Sequence, residues 1–241
     1  MLEKISAAWR SRYEKGYISR LERLIPTVVY LFFYFCWFFG LEKIQRSRYV
    51  LMHTKLDDRI PFRESFVIPY YSWFFYVGFT LTFLLLLRRS QDYYRAIIFM
   101  GIGMTFFLIF STFVPTMQTL RPETMPRDNI YTHLVDKMYR TDTPTNVFPS
   151  LHVFNSISCA IALLHAKALE KHKWVRAGSV VLTAMIILST MFIKQHSVLD
   201  VTGGIIMAVV LYPPVYRTDW VVRVLHIRER EFNLPEKWSL F

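Results

Sequence analysis

Six apolar runs, each close to the length that carries a helix across a bilayer, constrain this chain more than any other feature. They lie at Ile25–Leu41, Val67–Leu87, Ala96–Val114, Phe148–Leu169, Val175–Ile193 and Val198–Tyr216. A helix needs about 17 to 25 mostly apolar residues to cross the hydrocarbon layer, where no water is available to satisfy its backbone. With 53% hydrophobic and 17% aromatic residues in 241, little chain is left over for a soluble domain. The runs predict an all-α fold: a six-transmembrane-helix bundle forming one membrane domain over 25–216, with a basic segment at 1–24 and a basic tail at 217–241.

Within 1–24, Leu2, Ile5, Trp9 and Tyr13 recur at helical spacing among Lys4, Arg10, Arg12, Lys15, Arg20 and Arg23. That pattern suits an amphipathic helix on an anionic membrane surface, with a solvated charged tail as the alternative. The segment is too charged to be the apolar core of a signal peptide, so it is expected to be retained. Cys36 and Cys159 both fall inside apolar runs and read as packing residues.

Lys and Arg concentrate in short cytoplasmic loops. If the N-terminus is inside, 18 of the 29 basic residues fall on the inner segments and 11 on the outer ones. Both termini are therefore expected in the cytoplasm, in a plasma membrane protein whose active site faces outward. The outer loops are themselves basic, which fits an anionic substrate or contact with lipid headgroups. The net charge of +11 flanks apolar spans and accompanies no nucleic-acid-binding motif, so no nucleic acid partner is expected.

That topology gathers three segments on the outer face: Arg121-Pro122, then Pro149-Ser150-Leu151-His152, then His196 to Asp200. His196 and Asp200 are four apart, so on a helix they share a face, and the carboxylate can hold one ring nitrogen while the other points at substrate. A carboxylate at the edge of an apolar run is costly without such a partner. Pro149 suits a first helical position, where free N–H groups can receive a phosphate. His152 could then protonate a leaving oxygen, and Arg121 could grip phosphate oxygens. Each residue also has a plainer reading as a snorkelling or pairing group. Two histidines and an aspartate could instead bind a metal, but Arg121 and Lys194 nearby favour an anion.

The order R-P, P-S-x-H, S-x6-H-x3-D resembles the type 2 phosphatidic acid phosphatase superfamily of membrane lipid phosphatases and phosphotransferases. The resemblance implies a six-helix membrane fold, no metal or other cofactor, and a phosphohistidine intermediate. Carried onto this chain, His196 is the expected nucleophile, Asp200 its orienting partner and His152 the general acid. Arg121 and Ser150 would bind the substrate phosphate, with Lys194 as a further cation. Two positions depart from the family pattern: Val114 stands where a Lys is usual, and Thr190 follows Ser189 where an Arg is usual. Leu151 in place of the usual glycine, and the phrase LDDRIPF, are more similar to the branch that includes inositol phosphorylceramide synthases.

The expected activity is hydrolysis of a lipid phosphate, with membrane lipids as neighbours. Transfer of the phosphoryl headgroup to a lipid hydroxyl is the alternative, and a non-catalytic lipid-binding or transport protein a further one.

Overall fold

In the computed structural model, residues 20–44, 46–87 and 89–224 are described. Each apolar run forms a helix: α1 Arg20–Lys43, α3 Val67–Leu86, α4 Ser90–Phe113, α6 Leu151–His165, α7 Lys173–Phe192 and α8 Val198–Tyr212. Short elements intervene, namely α2 Lys55–Arg59, α5 Ile130–Thr141, α9 Trp220–Val224 and the strands β1 Val50–Leu51 and β2 Thr116–Met117. Residues 1–19 of the expected amphipathic segment and 225–241 of the expected tail lie outside the described residues, while residues 20–24 already belong to α1.

Among the described residues, five helices are long and apolar enough to cross a membrane: Glu22–Lys43, Glu64–Leu86, Ser90–Phe113, Lys173–Phe192 and Val198–Arg217. They carry outward-facing apolar side chains such as Phe32, Phe33, Phe75, Phe79, Phe113, Val209 and Val210, as an integral membrane protein requires. The sixth helix, α6, has 15 residues. At about 1.5 Å per residue it is shorter than the hydrocarbon layer is thick. It is also the centre of the bundle, packed by α3, α4, α7 and α8.

Close approach explains that centre. Phe154 stacks on Phe99 with ring centroids 5.3 Å apart, and a Cβ at Gly103 would meet the Phe154 ring at 2.2 Å, so only glycine lets α4 lie this near. The polar residues of the mid-bundle join helices. Thr183 donates to the Ser156 carbonyl (3.1 Å) and Tyr76 to the Ser179 carbonyl (3.3 Å). Cys159 is packed in this core, as expected, but Cys36 is exposed on the outer side of α1, which corrects its reading as a packing residue. Helix α1 is peripheral and rests on α4 through a ladder of polar contacts, Thr27 with Tyr93 (2.8 Å), Tyr30 with Thr105 (3.0 Å) and Trp37 with Thr112 (3.1 Å).

The helices alternate in direction. At one end Arg23 donates to the Leu87 carbonyl and Arg95 to that of Tyr216. At the other end the connecting segments lock together. β1 pairs in parallel with β2, placing Val50 opposite Thr116 and Leu51 opposite Met117, and Met117 bridges Thr145. The Arg63 N–H donates to the Phe192 carbonyl (2.9 Å) and the Ser150 N–H to that of Asp200 (3.0 Å). This interlocked end carries Arg121, Ser150, His152, Lys194, His196 and Asp200.

Candidate active site

The start of α6 supplies the first histidine. Pro149 does not occupy the first helical position expected of it: Ser150 is the N-cap, its hydroxyl accepting from the Val153 N–H, and Leu151 opens the helix. Ser150 is wholly buried, and its carbonyl lies where a Cβ at Gly204 would approach to 2.7 Å. Glycine at 204 therefore lets α8 seat directly on the start of α6, bringing the third motif to the second.

The second histidine is not helical. His196 sits in the turn before α8, Ser197 is the N-cap and Asp200 is in the first turn. The shared helix face expected from the four-residue spacing is thus replaced by a capping geometry. The Ser197 N–H donates to Asp200 Oδ2 (2.9 Å), and the same oxygen lies 3.4 Å from His196 Nδ1, within ion-pair range but off the line of a hydrogen bond. Asp200 is fully buried and His196 nearly so.

His196 Nε2 faces His152 Nδ1 at 3.3 Å. Tyr70 and Trp73 of α3 flank His152, with ring centroids 4.7 and 4.6 Å away. Asp200, His196 and His152 therefore form one line of side chains, each end of the central imidazole turned to a different partner.

The three expected phosphate contacts are close by but already engaged. Arg121 donates to the carbonyls of Tyr139 (3.1 Å) and Asp142 (2.8 Å) and to Gln195 Oε1 (2.9 Å), and its guanidinium lies 4.4 Å from the Tyr139 ring centre. Its Nε–H is buried without a protein partner. Burial draws the Arg121 pKa down while the Asp142 carboxylate opposes the shift. The Asp142 carboxylate in turn accepts from Gln195 and from Tyr70 (3.3 Å). The Ser150 hydroxyl oxygen accepts from the Val153 N–H at the helix cap. The Lys194 ammonium donates to the Asp57 carbonyl (2.6 Å), and Lys194 itself has a left-handed backbone (φ 54°) that turns the chain toward His196.

One residue of this neighbourhood was not singled out by sequence. Asp57, 2% exposed in α2, accepts from the Ser197 hydroxyl (2.7 Å), the Val198 N–H (2.8 Å), and the Thr54 N–H (2.7 Å) and hydroxyl (2.9 Å). Burial pushes its pKa up, but those four donors outweigh it and hold the carboxyl below its ordinary value. The signal available was the phrase LDDRIPF, which in sequence carries no mark of a partner 140 residues away.

Among the described residues, no group of three or more His, Cys, Asp and Glu side chains is arranged to hold a metal ion.

No curated protein and no solved structure gives a match to this chain. A family model described as the PAP2 superfamily matches residues 48–213, a stretch that runs from β1 into the turn after α8 and includes both histidines, Asp200, Arg121 and Asp57. Matched over more than half its length and across the whole of the interlocked end, the chain belongs to the PAP2 superfamily.

Proposed function

We propose that this chain is a membrane lipid phosphate phosphatase that works through a phosphohistidine on His196, at the extracytoplasmic face. Membership of the PAP2 superfamily supports phosphatase- or phosphotransferase-type chemistry. The observation that carries the finer reading is the line Asp200, His196, His152, with spacings of 3.4 and 3.3 Å. With the Nδ1 proton turned to Asp200, Nε2 holds the lone pair and is the nucleophile.

In the first step Nε2 bonds to phosphorus as the bond from phosphorus to the lipid oxygen breaks, and His152 gives its proton to that oxygen. In the second, a water oxygen attacks phosphorus, the N–P bond breaks, His152 takes the water's proton and phosphate leaves. In-line transfer places the nucleophile and the leaving oxygen on opposite sides of phosphorus. A 3.3 Å gap between the two imidazoles is too narrow for that, so substrate entry separates them. The buried Arg121 Nε–H, the Ser150 O–H and the remaining Lys194 N–H bonds are donors open to phosphate oxygens.

The burial of His196 and Asp200 favours a second reading, transfer to a lipid hydroxyl, because a site that excludes water protects the phosphoenzyme from hydrolysis. The branch that Leu151 and LDDRIPF resemble includes headgroup transferases as well as phosphatases.

Phosphate release by the purified protein in detergent, from a panel of phosphatidate, phosphatidylglycerol phosphate, undecaprenyl pyrophosphate and sphingoid phosphates, tests the proposal. Release that vanishes in His196→Ala is expected. No release from any member, with product appearing only when a lipid alcohol is added, replaces the phosphatase with the transferase. Release that persists in His196→Ala removes the mechanism.

A further inference from the structure

We propose that Asp57 is a positioning residue that fixes the turn carrying the nucleophile; this rests on the reading of His196 given above. The turn has two anchors. On one side the N–H groups of Gln195 and His196 both donate to the Thr190 carbonyl, at 2.9 and 3.0 Å, tying it to the end of α7. On the other side the Ser197 hydroxyl and the Val198 N–H both donate to the Asp57 carboxylate. His196 lies between the two, so its backbone has little freedom once both hold.

Ser197 links Asp57 to the reacting line. Its hydroxyl goes to Asp57 and its N–H to Asp200, the carboxylate facing His196 Nδ1. Its oxygen also accepts from the Leu199 N–H (3.2 Å), so rotation of this one side chain would disturb the cap of α8 as well. Lys194 closes the arrangement by bonding the Asp57 carbonyl. A buried carboxylate is an expensive way to join two loops, since a neutral acceptor would avoid its desolvation. What the carboxylate adds is two acceptor oxygens, one for the Ser197 hydroxyl and one for the Val198 N–H, where an amide would turn its own N–H donors toward one of them. The charged groups around it are Lys194, Asp58 with its partner His53 (2.7 Å), and Asp200.

The geometry also separates positioning from chemistry. Asp57 reaches His196 through Ser197 and Val198, so its loss should slow turnover while leaving substrate affinity nearly intact. It should act on the same step as loss of the Ser197 hydroxyl.

The test compares full-length wild type, Asp57→Asn, Ser197→Ala and the double variant in detergent, reading kcat, KM and melting temperature for phosphate release. Asp57→Asn is expected to lower kcat about 10- to 100-fold with KM changed less than about threefold. The double variant should be slower than Asp57→Asn by less than the loss of Ser197→Ala alone, because the two share the Ser197–Asp57 hydrogen bond while Ser197 also caps α8. Losses that multiply in the double variant, or a wild-type kcat in Asp57→Asn, overturn the proposal. If Asp57→Asn does not fold, Ser197→Ala decides: a several-fold lower kcat supports it and an unchanged kcat refutes it.

A second readout needs no turnover, namely the rate at which diethyl pyrocarbonate modifies His196, followed by peptide mass. An altered rate in Asp57→Asn or Ser197→Ala, several-fold from wild type, supports positioning even if no lipid phosphate is hydrolysed. An unchanged rate refutes it even if the phosphatase reading stands.

Discussion

At the residue scale, the candidate reacting groups are legible because their chemistry and spacing are local. A histidine four residues before an aspartate at the mouth of an apolar run marks a pair, structural or catalytic, and a P-S-x-H run that starts another helix marks a second candidate. The sequence misleads on how they meet: His196 pairs with Asp200 across an N-cap, with Ser197 as the hinge, and the helix face plays no part. The contacts of Arg121, Lys194 and Asp57 are not legible, because each is made to a carbonyl, amide or hydroxyl that folding brings from elsewhere in the chain. The acid role proposed for His152 makes a prediction at this scale. His152→Ala should lower turnover of alkyl phosphate esters about 10²- to 10⁴-fold, and much less for an aryl phosphate whose leaving group needs no proton. Steady-state rates on the two substrate types check this, and equal losses would take His152 out of that role.

At the element scale, the apolar runs locate the six bundle helices, since period and length are properties of contiguous chain. They do not locate α5. It falls between the third and fourth apolar runs, and its buried Val135 and Met138 pack with Val67, Tyr70 and Ile193. Nor do they locate β1 and β2, two residues each, whose pairing is set by the helices that deliver them. The approach of α8 to α6 at Gly204 is likewise a consequence of packing. Gly204→Ala should push the two helices apart, costing about 1 to 3 kcal/mol. It should slow turnover as well, as thermal melts and kinetics in detergent would show; unchanged values for both would contradict the tight seat.

The α2 segment adds a pH dependence. Because Asp57 is held below its ordinary pKa, the unfolded chain binds its proton more readily than the folded one. Its stabilisation is therefore complete at neutral pH and lost as pH falls through the depressed value. Melting temperature in detergent should fall on acidification toward pH 3 and fall less steeply in Asp57→Asn.

At the scale of the whole molecule, the interlocked end turns three separate connections, those between α1 and α3, α4 and α6, and α7 and α8, into one surface. Strand pairing ties the segment after α1 to that after α4, and Asp57 ties α2 to the turn before α8. Arg121 ties the α5 loop to Gln195, and Ser150 ties α6 to α8. The bundle beneath, centred on the short helix α6, holds the two histidine-bearing segments side by side. The central claim is that this surface passes a phosphoryl group through His196. Rapid quenching of the purified protein with a lipid phosphate labelled in its phosphoryl group tests it most directly. The account predicts a transient protein-bound label that is labile to acid, stable to alkali, mapped to the peptide containing His196 and absent from His196→Ala. Product formation at the wild-type rate with no such label, or a label that survives in His196→Ala, would contradict it.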